Sequence, residues 1–131
     1  MRARLALAQV ARMATIGPGG QPHVVPVCFA LEGGIVYFAV DAKPKRTTDL
    51  KRLRNIESNP AVSMLVDHYE QDWSRLWWVR VDGTARFVVD EVERRRAIEL
   101  LMGRYPQYRR MPPEGTVVAI SVDRLTGWTG S

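Results

Sequence analysis

Apolar and polar positions along this chain change period several times, and each change marks a boundary. Arg12–Ile16 reads as a first strand, and Gly17-Pro18-Gly19-Gly20 then ends it as a turn. A second strand is expected over His23–Leu31. Glu32-Gly33-Gly34 turns the chain into a third, Ile35–Val40, which is apolar almost throughout. Leu50, Leu53 and Ile56 recur three apart between basic residues. They predict a helix of about three turns that stops near Asn59-Pro60. Ala61–Asp67 reads as a fourth strand, His68–Arg75 as a polar excursion, and Leu76–Val89 as a long fifth strand kinked at Gly83. Asp90 with Glu93 resembles a capping box and opens a helix through Ala97, Ile98, Leu101 and Met102, ending at Gly103. Tyr105–Pro113 is expected to be an irregular loop. Thr116–Ser121 is a sixth strand that Leu125–Trp128 can extend. The first three strands, joined by tight turns, should form an antiparallel meander. The order lacks the regular strand–helix alternation of a parallel sheet. It predicts a mainly β chain, an antiparallel six-stranded barrel with helical insertions, closed because closure removes exposed edges. With 131 residues and no linker or repeat, one domain over 1–131 is expected.

Composition narrows the partners. The net charge of +5 and a pI of about 9.9 favour anions, whether a phosphorylated cofactor, nucleic acid or acidic lipid. Cys28 is the only cysteine, so no intrachain disulfide can form and a reducing, cytoplasmic setting is expected. Cys28 itself reads as a small core residue on a half-buried strand. His23, His68 and Cys28 have no zinc or haem spacing. His23 reads as a hydrogen-bonded structural histidine and His68 as a surface one. No apolar run approaches the roughly 20 residues of a membrane span. The start, Met1–Ala11, superficially looks like a signal peptide, but its apolar part is short and Arg12 follows. A retained N-terminal helix with Leu5, Ala8 and Val10 on one side is the better reading. Phosphate-loop, dinucleotide and Gly-x-Ser-x-Gly fingerprints are missing, so any difficult chemistry would belong to a cofactor.

Two local concentrations carry the functional signal. All three lysines, Lys43, Lys45 and Lys51, fall within Lys43–Arg54, with Arg46, Arg52 and Arg54 and the hydroxyls of Thr47 and Thr48. This stretch follows a strand and opens a helix. Ammonium groups, hydroxyls and free helix N–H groups can there converge on a phosphate, although a solvated basic face has the same composition. The second is Trp73-Ser74-Arg75-Leu76-Trp77-Trp78-Val79-Arg80, with three of the four tryptophans in six positions. On a strand Trp77 and Trp78 point to opposite faces, so one can be core while the other faces a ligand or partner.

Several stretches together carry a family resemblance. They are Arg12–Gly17 with Gly20–Phe29, Lys43-Pro44-Lys45-Arg46-Thr47, Leu53–Val66, and Trp78-Val79-Arg80-Val81-Asp82-Gly83. In order and spacing the chain resembles the pyridoxamine 5′-phosphate oxidase-like split β-barrel superfamily. Within it, the chain is similar to the small deazaflavin-dependent (coenzyme F420) oxidoreductases. The resemblance implies a homodimer with two cofactor sites at the interface. It implies a phosphate grip drawn from Lys45, Arg46, Thr47 and Lys51, in a stretch about a turn longer than the commoner Arg-Lys-x-x-Asn-Leu pattern. Val25, Pro26, Val27 and Cys28 would offer backbone to the ring, and Trp77, Trp78, Arg80 and Trp128 would complete the pocket. Trp78 stands where flavin-binding oxidases of the superfamily often carry glutamine, and the C-terminus is short. Both departures weaken a reading as pyridoxamine phosphate oxidation. The expectation is a hydride transfer between coenzyme F420 and a small planar substrate, with FMN as the alternative cofactor. A carrier without turnover has the same features. The reading from another class is a basic barrel for single-stranded nucleic acid. It is disfavoured because the basic residues cluster in one stretch and do not alternate with aromatics along a groove.

Overall fold

The computed structural model describes residues 1–40 and 47–131, with residues 47–50 described by their backbone alone. Among the described residues seven strands, β1 (Ala11–Ile16), β2 (Pro22–Val27), β3 (Ala30–Glu32), β4 (Ile35–Ala39), β5 (Ala61–His68), β6 (Trp77–Phe87) and β7 (Val117–Thr129), form one antiparallel sheet. Its order is β2-β1-β5-β6-β7-β4-β3. Among the described residues four α-helices accompany it: α1 (Arg2–Leu7), α2 (Thr47–Ser58), α3 (Glu91–Arg104) and α4 (Pro106–Arg110).

The seventh strand arises because the expected strand His23–Leu31 is two strands. β2 and β3 lie at opposite edges of the sheet, so the first three predicted strands are not a simple meander. Val27 and Ala30 are three residues apart, a reach of about 10 Å at most. The two edges must therefore approach each other, and the sheet curls into a split barrel. The break is pinned from a distance. The Phe29 N–H donates to the Tyr105 hydroxyl at 3.0 Å, and the Phe29 carbonyl accepts from Arg104 at 2.7 Å. Phe29 itself is fully buried, whereas Cys28 is exposed, so the core residue at this break is the phenylalanine and not the cysteine.

Met13, Phe29, Val36, Phe38, Met64, Val79, Val81 and Ile120 fill the barrel. α2 closes one side through Ile56, beside the buried Asn55, whose amide donates to Thr15 Oγ1 at 3.1 Å. α1 contributes Leu5 to the same core, while Val10 is exposed. α3 packs outside on β3 and β4 through Ala97 and Leu101. β4 and the first half of β7 are thus buried on both faces, which explains their nearly unbroken apolar runs. Asp90 caps α3 by accepting from the Glu93 N–H at 2.9 Å, but the Glu93 carboxylate turns away to Arg86 and Tyr37. The stretch after Gly103, expected to be loop, holds the short α4 with Pro106 in its first turn.

β7 is continuous over 13 residues, with a shift of register against β6 between Asp82 and Gly83. Asp82 faces Arg124 and Gly83 faces Val122, leaving Asp123 as the extra residue of a bulge. A Cβ on Gly83 would lie 2.5 Å from the Ser121 carbonyl oxygen, so only glycine lets the strands approach this closely. Among the described residues no helix is long and apolar enough to cross a membrane.

Candidate functional site

α3 covers only one side of the barrel, and the outward side chains of β2, β1, β5, β6 and the end of β7 lie side by side on the other. Cross-strand pairing sets their order. One row runs Trp128, Trp78, Asp67, and the next runs Thr126, Arg80, Leu65, Arg12, Pro26. A third runs Arg124, Asp82, Ser63, Ala14, Val24. The period of two puts the partners of these residues, Met13, Met64, Val79 and Val81, into the core. A hollow of about 530 Å³ opens here, lined among others by Arg12, Val24, Leu65, Trp78, Arg80 and Trp128. Its size suits a small organic ligand, and its walls are mainly apolar. Val24 is 61% exposed and Trp128 46%, with Leu65, Tyr69 and Trp73 also exposed, an unusual density of bare apolar side chains.

Trp77 and Trp78 separate as their alternation requires. Trp77 packs against the core, with the Arg4 guanidinium 5.0 Å from its ring centre and His68 stacked at 6.2 Å. Trp78 faces out, with Arg80 5.8 Å from its ring centre. Arg80 also reaches Asp82 at 3.2 Å. The Asp82 carboxyl is held below its usual range, first by the Ser63 hydroxyl that donates to it at 2.6 Å and also by Arg80. His68 Nε2 lies 2.5 Å from Glu70. His23 is half-buried opposite Thr15, and its Nδ1 has no partner among the described residues, so the expected hydrogen bond is not made.

The remaining expected site residues are dispersed. Val25 and Val27 point inward from β2, Val27 being buried, while Pro26 and Cys28 are exposed. β2 is an edge strand, and its two prolines sit where a missing N–H is tolerated. Lys45 and Arg46 lie outside the described residues, as does the side chain of Thr47, whose backbone opens α2. Lys51 is exposed on α2 and lines a different groove with Arg54, Asn55 and the Gly17–Gly20 turn. Arg12, Leu65 and Asp67 are the site residues that sequence reasoning passed over. The alternation of Arg12 with the inward Ala11 and Met13 was their available signal. Among the described residues no cluster of three or more metal-ligating side chains occurs.

Arg12 and Asp67 make no ion pair or hydrogen bond among the described residues. The surface therefore combines a flat apolar wall, a partly neutralised Arg80 and two charged groups without partners. Such a surface can hold a planar ring and an attached anion.

A family model described as pyridoxamine 5′-phosphate oxidase matches residues 1–129. The fold is shared with a conserved hypothetical protein from Mycobacterium tuberculosis, at 23% identity and a TM-score of 0.79, over 98% of this chain and 81% of that one. A FAD-binding protein from Mesorhizobium loti is similar at 22% identity and a TM-score of 0.71, over 96% and 87% of the two chains. The heme storage protein HutZ from Vibrio cholerae is similar at 15% identity and a TM-score of 0.74, over 98% and 90%. No curated protein sequence matches the chain.

Proposed function

The chain belongs to the pyridoxamine 5′-phosphate oxidase family, and from that premise we propose that it is an oxidoreductase using a flavin-type cofactor, coenzyme F420 before FMN. It acts on a small planar substrate. The observation that carries this reading is the open hollow walled by Trp78 and Trp128 beside Arg80, a flat apolar surface next to positive charge. That surface fits a fused-ring cofactor with an anionic tail. The similarity of fold to a FAD-binding protein supports the flavin class.

When bound, such a cofactor supplies the hydride chemistry. The protein's part is placement and shielding. Trp78 and Trp128 offer the flat wall and exclude water, and Arg80 lends positive charge at its margin. The β2 edge at Val25–Cys28 offers backbone donors and acceptors to a ring. Lys45, Arg46 and Thr47 are the expected grip on phosphate, while Lys51, in a separate groove with Arg54 and Asn55, serves only a tail that extends there. Tryptophan at position 78, where oxidases of this superfamily often carry glutamine, stands against pyridoxamine phosphate oxidation. A second copy of the chain covers the bare outward face and completes two equivalent sites as a two-fold dimer.

Titration with coenzyme F420, FMN, haemin and a single-stranded oligonucleotide tests the reading. F420 should quench tryptophan fluorescence with low-micromolar affinity, about −8 kcal/mol. Its affinity should fall only modestly between low and physiological salt, since ring contacts are not screened. FMN binding tenfold tighter would reverse the order of cofactors. Haemin or the oligonucleotide binding tightest would end the oxidoreductase reading. Light scattering should give a dimer, and a monomer with full cofactor binding would remove the second copy from the site.

A further inference from the structure

We propose that the hollow selects a planar ligand bearing a carboxylate, and that Arg12 is the residue that recognises the acid. The proposal rests on the reading of this hollow as the place of the reacting ligand, and it names the chemical class of that ligand.

Arg12 makes no ion pair or hydrogen bond among the described residues, and unlike Arg54, Arg95 and Arg110, which share that state, it lines the outward hollow. Arg80 is paired with Asp82, Arg86 with Glu93 and Arg96 with Glu32. Arg94, Arg104 and Arg109 donate to backbone carbonyls. Arg12 projects from near the start of β1, and its cross-strand neighbours are Leu65 on one side and Pro26 on the other. Neither can accept a hydrogen bond through its side chain. Arg12 nevertheless lines the hollow with Val24, Leu65 and Trp78, where a ring can lie against apolar walls. A guanidinium presents two parallel donors in a plane, which match a carboxylate and fix the direction of the ring that carries it. The same acid on a ring too far from Arg12 would lose its hydration without replacement.

Asp67 gives the competing explanation. It lies on the same face, two residues beyond Leu65, and is also unpaired among the described residues. A two-fold axis could bring Asp67 of a second copy onto Arg12, and the charge would then serve assembly.

The experiment compares 2-naphthoate with 2-naphthamide, which share a shape and differ in charge, by calorimetry on the full chain with no cofactor added. Naphthoate should bind about tenfold more tightly or better. Arg12→Ala should erase the difference and leave naphthamide binding intact, and Arg12→Lys should restore part of it. Equal binding of the two probes to the natural protein, or a preference that survives Arg12→Ala, would overturn the proposal. So would matching conversion of Arg12→Ala and Asp67→Asn to monomers by light scattering with the naphthoate preference unchanged in Asp67→Asn and Arg12→Ala alike. A carboxylate preference in a protein that binds neither F420 nor FMN would sustain this inference while ending the cofactor reading. Cofactor binding without that preference would do the reverse.

Discussion

Trp78 and Trp128 occupy opposite positions on β6 and β7, and both line the outward hollow. They are 50 residues apart in sequence, yet the pairing of two antiparallel strands makes them one aromatic surface. That surface exists because the bulge at Asp123 shifts the register before the strand reaches Trp128. Without the extra residue, position 128 would face the core.

The aromatic pair should govern geometry more than affinity. Trp78→Ala or Trp128→Ala is expected to slow hydride transfer about tenfold or more, with a smaller loss in binding of the phosphate-bearing tail. Single-turnover kinetics set against equilibrium titration separate the two. A fall in affinity with an unchanged transfer rate would assign the tryptophans to binding alone.

The basic stretch should anchor the anionic tail. Lys45→Glu is expected to cost about 2–4 kcal/mol of cofactor binding, because it removes a charge-assisted contact and adds a repulsive one. Lys51 is exposed, so Lys51→Glu should leave the melting temperature nearly unchanged. Unaltered dissociation constants for both variants would make this segment an ordinary solvated helix face.

Acid stability should depend on Glu93. Arg86 donates to its carboxylate at 2.9 and 2.7 Å and Tyr37 donates at 2.7 Å, and these bonds lower its pKa to about 2. A group with a depressed folded pKa stabilises above its unfolded value, near 4.5, and that contribution disappears as pH falls towards 2. Glu93→Gln should flatten the decline of stability in this window, as read from denaturant midpoints. At the other extreme Tyr37, raised to about 12 first by burial and then by Glu93, favours the fold below pH 10 and loses that contribution as pH rises to 12.

The break between β2 and β3 should be sensitive to one hydroxyl. Tyr105→Phe leaves the buried Phe29 N–H without its 3.0 Å acceptor and also removes the bond from this hydroxyl to Gln9, 2.9 Å. A loss of about 1–3 kcal/mol is expected in chemical denaturation. No change would mean that Arg104 alone holds the crossing.

Sequence by itself determined which residues share a face. The opposite facing of Trp77 and Trp78, the cap at Asp90 and the irregularity expected at Gly83 are all local consequences of a period or of one residue's chemistry. The basic stretch and the tryptophan cluster were legible in the same way. Only the tertiary structure decided which strands are neighbours. A period of two carries no information about the partner across the hydrogen bonds, so Arg12 could not be seen between Leu65 and Pro26. Nor could the division of His23–Leu31 be seen, since its cause is a tyrosine 76 residues further on that satisfies Phe29. Polar bonds of this range depend on the tertiary arrangement, and they satisfy the backbone of Phe29 where an apolar run passes from one edge of the split barrel to the other.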